Sequence, residues 1–470
     1  MKTKNQIIFI LISLLSLYAG IGFLIQAGII FLSIYFFTKN DGYSAFLLFF
    51  TITFLIPYEL NSLTLGQGVG NYLDNSFIAG LPLYICLPIV ISKKKQINKK
   101  IKYLIAGFLI LFLVSTIFKG FIAALFGGEN VRFSWTINYL NAFLVFLYAS
   151  VVFDTTEKLK IFAHHLIVLG LLAALFGLIQ YIFNFYFFKY TYAYPNNERL
   201  SIIPYPDPVD LFPYMIVPFS FAINYLFVKN KNPSFVKAAI TLLFIAVLFT
   251  WGRWGLFCLV LTMLLSLYLN KRLKALLVSI LVSVLLITSI SSTFLLKIVP
   301  VEQTTRIESE NNLITRAILW GSAIYAIQDH WFVGVGIGNE ASYAFKEGIN
   351  PYFVAGGSEV VTNVNDFAFQ SLHSFFLSWI LSNGIFLVPL IIFLYFLFFK
   401  YSFITMKNTR DSDILAFVNS IICSLTGITL FWLQNSGNAY YWIFLFLILS
   451  FVLSIYSKKN FKMLYDSFAK

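Results

Sequence analysis

The 470 residues are 59% hydrophobic and 11% charged, with a mean hydropathy of +0.82. Soluble domains carry about 25% charged residues, and a chain this apolar has too little polar surface to cover itself in water, which excludes a soluble globular protein. The formal net charge of +13 invites a nucleic-acid reading, but the placement of the charges along the chain argues against it.

Taken in order, the chain turns apolar from Ile7 to Phe37 after a short basic start. A cleaved signal peptide has a shorter apolar core ending in small residues, so this run reads as mature membrane structure. It is too long for one untilted helix, and the break falls at Tyr18-Ala19-Gly20-Ile21-Gly22, giving spans near 7–18 and 22–37. Further spans follow near 43–58, 76–91, 102–120, 133–153, 160–183 and 210–228. The run 236–269 divides at Trp251-Gly252-Arg253-Trp254 into 236–251 and 254–269, and the remaining spans are 273–295, 373–399, 412–432 and 439–456. Runs of this length cross a hydrocarbon core about 30 Å thick, whereas barrel strands are about 10 residues long. The expectation is an all-α integral membrane protein with about 14 transmembrane helices, or 12 to 13 if adjacent runs join. It forms a single polytopic membrane domain over 1–470. Cys86, Cys258 and Cys423 each fall inside a span without metal-ligand spacing, as small buried hydrophobes do.

With a cytoplasmic N-terminus, every second connector is cytoplasmic. These connectors hold Lys93, Lys94, Lys95, Lys99, Lys100, Lys229, Lys231, Lys271, Arg272, Lys400, Lys407, Arg410, Lys458 and Lys459. About 24 of the 33 Lys and Arg then lie inside, as the positive-inside rule requires. The basic excess is a topology signal that places both termini in the cytoplasm.

Two external loops are long: 184–209 and, above all, 296–372. Long ordered loops on a rigid scaffold are where function concentrates. Within the larger one, Asn312 to Gln328 reads as a helix lying at the interface. It leads through Asp329-His330-Trp331-Phe332 into the glycine-rich Gly334-Val335-Gly336-Ile337-Gly338. No strand precedes these glycines and their spacing differs from a dinucleotide fingerprint, so they read as a tight turn.

Three residues are candidates for chemistry because of where they sit. Arg253 lies at the external junction of two spans, where an arginine is costly and points to function, although a snorkelling side chain would also explain it. Arg316 sits near the start of the loop helix, and its guanidinium suits bidentate phosphate binding. His373 opens the span after the loop. There the positive end of the helix dipole disfavours imidazolium and favours a neutral general base. Arg306 and Arg199 are further external arginines, and His330 and Asp329 are weaker candidates in the turn. Without an Asp-x-Asp pair in the short external loops, the pattern fits a mechanism using neither metal nor nucleotide cofactor.

Four segments in order resemble the O-antigen ligase and O-antigen polymerase superfamily. They are Thr250-Trp251-Gly252-Arg253-Trp254-Gly255-Leu256, Thr315-Arg316-Ala317-Ile318-Leu319-Trp320, Asp329 through Gly338, and Leu372-His373-Ser374-Phe375-Phe376 through Asn383-Gly384-Ile385. Trp331 stands where the family pattern has proline, Ser374 where it has asparagine, and Asn383 where it has an acid. The resemblance implies a fold of glycosyltransferase C type in the bacterial cytoplasmic membrane. It also implies an undecaprenyl-pyrophosphate-linked oligosaccharide donor and a glycan acceptor handled on the external, periplasmic face. By that analogy Arg253 and Arg316, with Arg306 and Arg199, hold the pyrophosphate, and His373 deprotonates or orients the attacking hydroxyl. Membrane lipid and a chain-length regulator are the further partners expected, and nucleic acid is not one. The first functional expectation is a repeat-unit polymerase for O-antigen, capsule or exopolysaccharide. A ligase delivering glycan to lipid A-core or another acceptor is the second. A glycolipid flippase, which calls for repeats and midplane charges, is the reading from another class.

Overall fold

The structure is a computed structural model. It describes residues 21–55, 75–93, 133–183, 200, 212–228, 233–250, 252–272, 274–275, 278–279, 311–332, 334–335, 344, 374–385 and 387–433. Within these residues the regular secondary structure is entirely helical. The helices are α1 Ile21–Thr38, α2 Gly42–Leu55, α3 Asn75–Ile85, α4 Leu87–Ser92, α5 Phe133–Val152, α6 Thr156–Phe183 and α7 Phe212–Leu226. They continue with α8 Pro233–Phe249, α9 Arg253–Leu269, α10 Asn311–His330, α11 Phe375–Asn383, α12 Leu387–Asn408 and α13 Ser412–Trp432.

Helix α7 is the axis of the bundle. Every residue from Phe212 to Tyr225 is buried, as expected for a helix apolar all round, and it packs against α6, α8, α9 and α13. Small residues let these helices approach closely. Gly170 of α6 receives the ring of Pro218, Gly252 and Gly255 receive the ring of Phe212, and Gly427 of α13 receives Thr262 and Ile216. A Cβ at any of these glycines would collide with its neighbour. A second group, α1 to α5, joins this centre through α6, where Phe46 gathers Phe50, Tyr148, Phe153 and Phe162 at ring-centroid distances of 5.1 to 6.2 Å.

Cross-helix bonds fix the directions. Phe212 at the start of α7 meets the start of α9, and Asn224 near its end bonds Ser266 at 3.1 Å and Asn270 at 2.6 Å. Helices α7 and α9 therefore run the same way, and α8 returns between them. Helix α13 opposes both, since Asn419 bonds Asn270 while Trp254 donates to the carbonyl of Leu430 at 3.0 Å. The division of 236–269 at Trp251-Gly252 is thus present as two separate helices.

The expected span 373–399 is instead two helices. Gly384, with φ of +75°, closes α11 and α12 begins at Leu387, because a left-handed residue ends a helix and glycine adopts it without strain. The span 76–91 is also divided, at Cys86. There the carbonyls of Pro82 and Cys86 still accept from Cys86 and Ile89, which makes a kink. Helix α10 matches the expected loop helix closely. The three cysteines are free and buried. The expected spans 7–18, 102–120 and 439–456, most of 273–295, nearly all of loop 184–209 and about two thirds of loop 296–372 lie outside the described residues.

Two described helices, Thr156–Phe183 and Ser412–Trp432, are long and apolar enough to cross a membrane, and six shorter apolar helices accompany them. This is the composition of a membrane protein.

Candidate functional site at one end of the bundle

The bundle has two chemically different ends. Lys39, Lys93, Lys158, Lys160, Lys271, Arg272 and Lys407 fall at one of them, where Lys160 of α6 pairs with Asp413 of α13 at 2.8 Å. Arg253 is the first residue of α9 and lies at the other.

The residues around Arg253 are fixed by packing. Gly252 and Gly255 flank it because Phe212 occupies the space their side chains would need. Trp254 is held by Leu430 and stacks on Phe257 at 5.1 Å. The buried amide of Leu200, next in sequence to Arg199, donates to the carbonyl of Phe249 at 2.9 Å. That bond brings Leu200 of loop 184–209 to the end of α8, three residues before Gly252.

Helices α10 and α11 form a pair at the same end. The hydroxyl of Tyr395 in α12 meets that of Thr429 in α13 at 2.8 Å. Leu387 precedes Tyr395 by eight residues, about 12 Å along the axis, so α12 begins where α13 finishes and α9 starts. Helix α11 joins α12 there. Its Trp379 packs into the main core, while Leu377 and Leu381 pack with Ala323, Ala326 and Ile327 of α10.

Two glycines lock the pair. Gly334 has φ of +71°, and a Cβ there would strike the backbone of Ser382 and Gly384. Around it, Val335 donates to the carbonyl of Leu381 at 2.7 Å and Ile385 to that of Trp331 at 2.8 Å. Both helices end at this junction and run in the same direction, with α10 starting about 16 Å further from it than α11. Arg316 precedes Ala323 by seven residues, two turns along the same face. Ser374 caps α11, its hydroxyl accepting from Leu377 at 3.5 Å. The described helix thus begins at Phe375, one residue after its cap.

Of the residues singled out from sequence, Arg253 and Arg316 are placed through their helices and not their side chains, while His373, Arg306 and Arg199 lie outside the described residues. Asp329 is exposed and His330 ends α10, its carbonyl accepting from Gly334 at 2.8 Å. Sequence reasoning passed over two groups. The indole N–H of Trp320, one turn after Arg316, and the hydroxyl of Ser322 are buried with no hydrogen-bond partner among the described residues. Buried polar groups are rarely left unsatisfied.

No curated protein matches the chain. A family model described as O-antigen ligase matches residues 238–392, a segment that opens in α8, runs through α9, α10 and α11 and closes in α12. That match supports the kinship to O-antigen ligases and polymerases read from the four motifs, over this segment of the chain.

Proposed function

We propose that the chain is a glycosyltransferase that joins undecaprenyl-pyrophosphate-linked oligosaccharide repeat units into a longer glycan on the external face of the bacterial cytoplasmic membrane. One observation carries the reading. The start of α9 with Arg253, the α10–α11 pair with Arg316, and the two described residues that follow Arg199 and His373 in sequence all belong to the end of the bundle away from its lysines. The positive-inside rule makes the lysine end cytoplasmic, which leaves the arginine end outside.

In this reading Arg253 and Arg316, with Arg306 and Arg199, hold the pyrophosphate as negative charge develops on the leaving group, where electrostatic stabilisation counts most. His373 takes the proton of the sugar hydroxyl that attacks the anomeric carbon. The C–O bond to pyrophosphate breaks as the new glycosidic bond forms, so the glycan passes from one lipid carrier to the acceptor and undecaprenyl pyrophosphate is released. The reaction as written requires no nucleotide and no metal.

The test is purified protein with lipid-linked repeat units. A polymerase yields a ladder of longer chains, and His373→Ala lowers its rate by about 10²–10⁴, the usual contribution of a general base. An undiminished ladder from that variant removes the role assigned to His373. Because the matching family model is described as O-antigen ligase, the second reading is a single transfer to a separate acceptor, which would appear as one product without a ladder.

A further inference from the structure

The lysine end of the bundle contains a cleft of about 300 Å³ lined by Lys39, Asp41, Tyr43, Lys93, Asp154 and Lys158. It lies where α1 and α4 end and where α2 and α6 begin. Its two acids are already engaged. Asp41 caps α2 through the amide of Ser44 at 3.0 Å and the hydroxyl of Ser44 at 2.5 Å, and Asp154 pairs with Lys158 at 2.8 Å. Lys158 also lies over the ring of Tyr43, whose hydroxyl donates to the carbonyl of Lys158.

Two cations are left without an acid. Lys39 approaches only the ring of Tyr35, and Lys93 has no side-chain partner among the described residues. They come from connectors 54 residues apart in sequence yet line the same cleft. With Asp41 and Asp154 in the same lining the cleft carries a net charge of +1, and its two lysines without an ion-paired acid suit a singly charged phosphate.

The surroundings indicate where that phosphate comes from. Val151 and Val152 complete the cleft wall. Outside it, α1 turns a broad apolar face outward through Phe31, Ile34, Tyr35 and Phe37, and α4 exposes Ile91 two residues before Lys93. An anion seated at the lysines therefore has apolar surface running away from it on two helices, as a diacyl lipid requires and a free ion does not. Basic pockets between membrane helices recognise anionic head groups in this way.

We propose that this cleft binds the phosphate head of an anionic glycerophospholipid, with its acyl chains along α1 and α4. The proposal rests on the membrane reading of the chain and is independent of the glycosyl-transfer site at the opposite end.

The experiment is native mass spectrometry of the purified protein in neutral detergent, with dioleoyl phosphatidylglycerol or dioleoyl phosphatidylcholine added. Wild type retains phosphatidylglycerol in preference to phosphatidylcholine. The double variant Lys39→Gln, Lys93→Gln loses that preference on the order of tenfold, whereas Lys39→Arg with Lys93→Arg keeps it. Lys271→Gln with Arg272→Gln, at the same end but outside the cleft, also keeps it. Equal retention of the two lipids by wild type overturns the proposal without any variant. An equal loss from the Lys271, Arg272 variant overturns it as well, since general surface charge would then account for binding. Inorganic phosphate is the third arm: if millimolar phosphate displaces the lipid and raises Tm by itself, the occupant is a soluble phosphate and the lipid assignment fails.

Discussion

Single residues in the motifs acquire physical reasons from their neighbours. Ser374 stands where the resembling pattern has asparagine, and both residue types are preferred helix N-caps, as its hydroxyl bond from the Leu377 amide shows. Gly252 and Gly255 read in sequence as parts of an arginine signature, but they are explained by the ring of Phe212. That fact was not legible, since Phe212 lies about 40 residues earlier and only the packed bundle joins them. Arg253 was legible because it sits between two apolar runs at a junction where the charge pattern of the other connectors disfavours a basic residue. Replacing it with lysine keeps the charge and loses the planar fork, so polymer yield falls by about tenfold or more at saturating donor. Trp320→Phe removes the buried indole N–H together with part of the ring volume. If that group binds substrate, KM rises several-fold while Tm holds, as steady-state rates and a melting curve on one preparation will reveal. A fall in Tm with unchanged KM would make Trp320 structural.

At the level of helices, existence was easier to read than interruption. Apolar runs announced α1, α2, α5 to α9 and α13 to within a few residues. The break in 373–399 was missed because Asn383-Gly384-Ile385 is flanked by apolar residues on both sides and hydropathy does not register a backbone angle. The angle matters at the α10–α11 junction. Gly334→Ala places a methyl against the Ser382 and Gly384 backbone and forces an unfavourable φ, each a cost of about 1 kcal/mol or more. The expected result is a lower Tm and loss of polymer, while Gly321→Ala on an open face of α10 leaves Tm unchanged. The asparagine network joining α7, α9 and α13 is a second place where helix contacts can be weighed. Asn270 bonds both Asn224 and Asn419. Membrane hydrogen bonds average about 0.6 kcal/mol and reach about 1.7, so Asn270→Leu costs on the order of 1–2 kcal/mol, measurable by unfolding in mixed micelles.

For the whole molecule, alternation of basic and neutral connectors was the most informative signal, and the structure gathers the corresponding helix ends at two poles. Sidedness itself is open to direct measurement. All three native cysteines are buried, so an introduced one dominates labelling by a membrane-impermeant maleimide. Gln328→Cys on α10 labels in intact spheroplasts, and Lys271→Cys labels only after the membrane is broken. The reverse pattern would invert the topology and move the proposed chemistry to the cytoplasm. What the sequence conveyed poorly at this scale was convergence, because Leu200 of loop 184–209 reaches the end of α8 through one backbone bond.

The junction of α10 with α11 also has a consequence for how such a chain can diversify. Val335 is pinned to Leu381, and Ser374 starts the helix that carries Leu381. The segment between these anchors therefore leaves and re-enters the fold only seven residues apart on one helix, about 10 Å. Closing a segment whose ends are so near costs only about 0.6 kcal/mol more for each doubling of its length. A change in the number of residues between Ala344, which is buried with Ala323, Ala326 and Leu381, and His373 therefore costs the helices little.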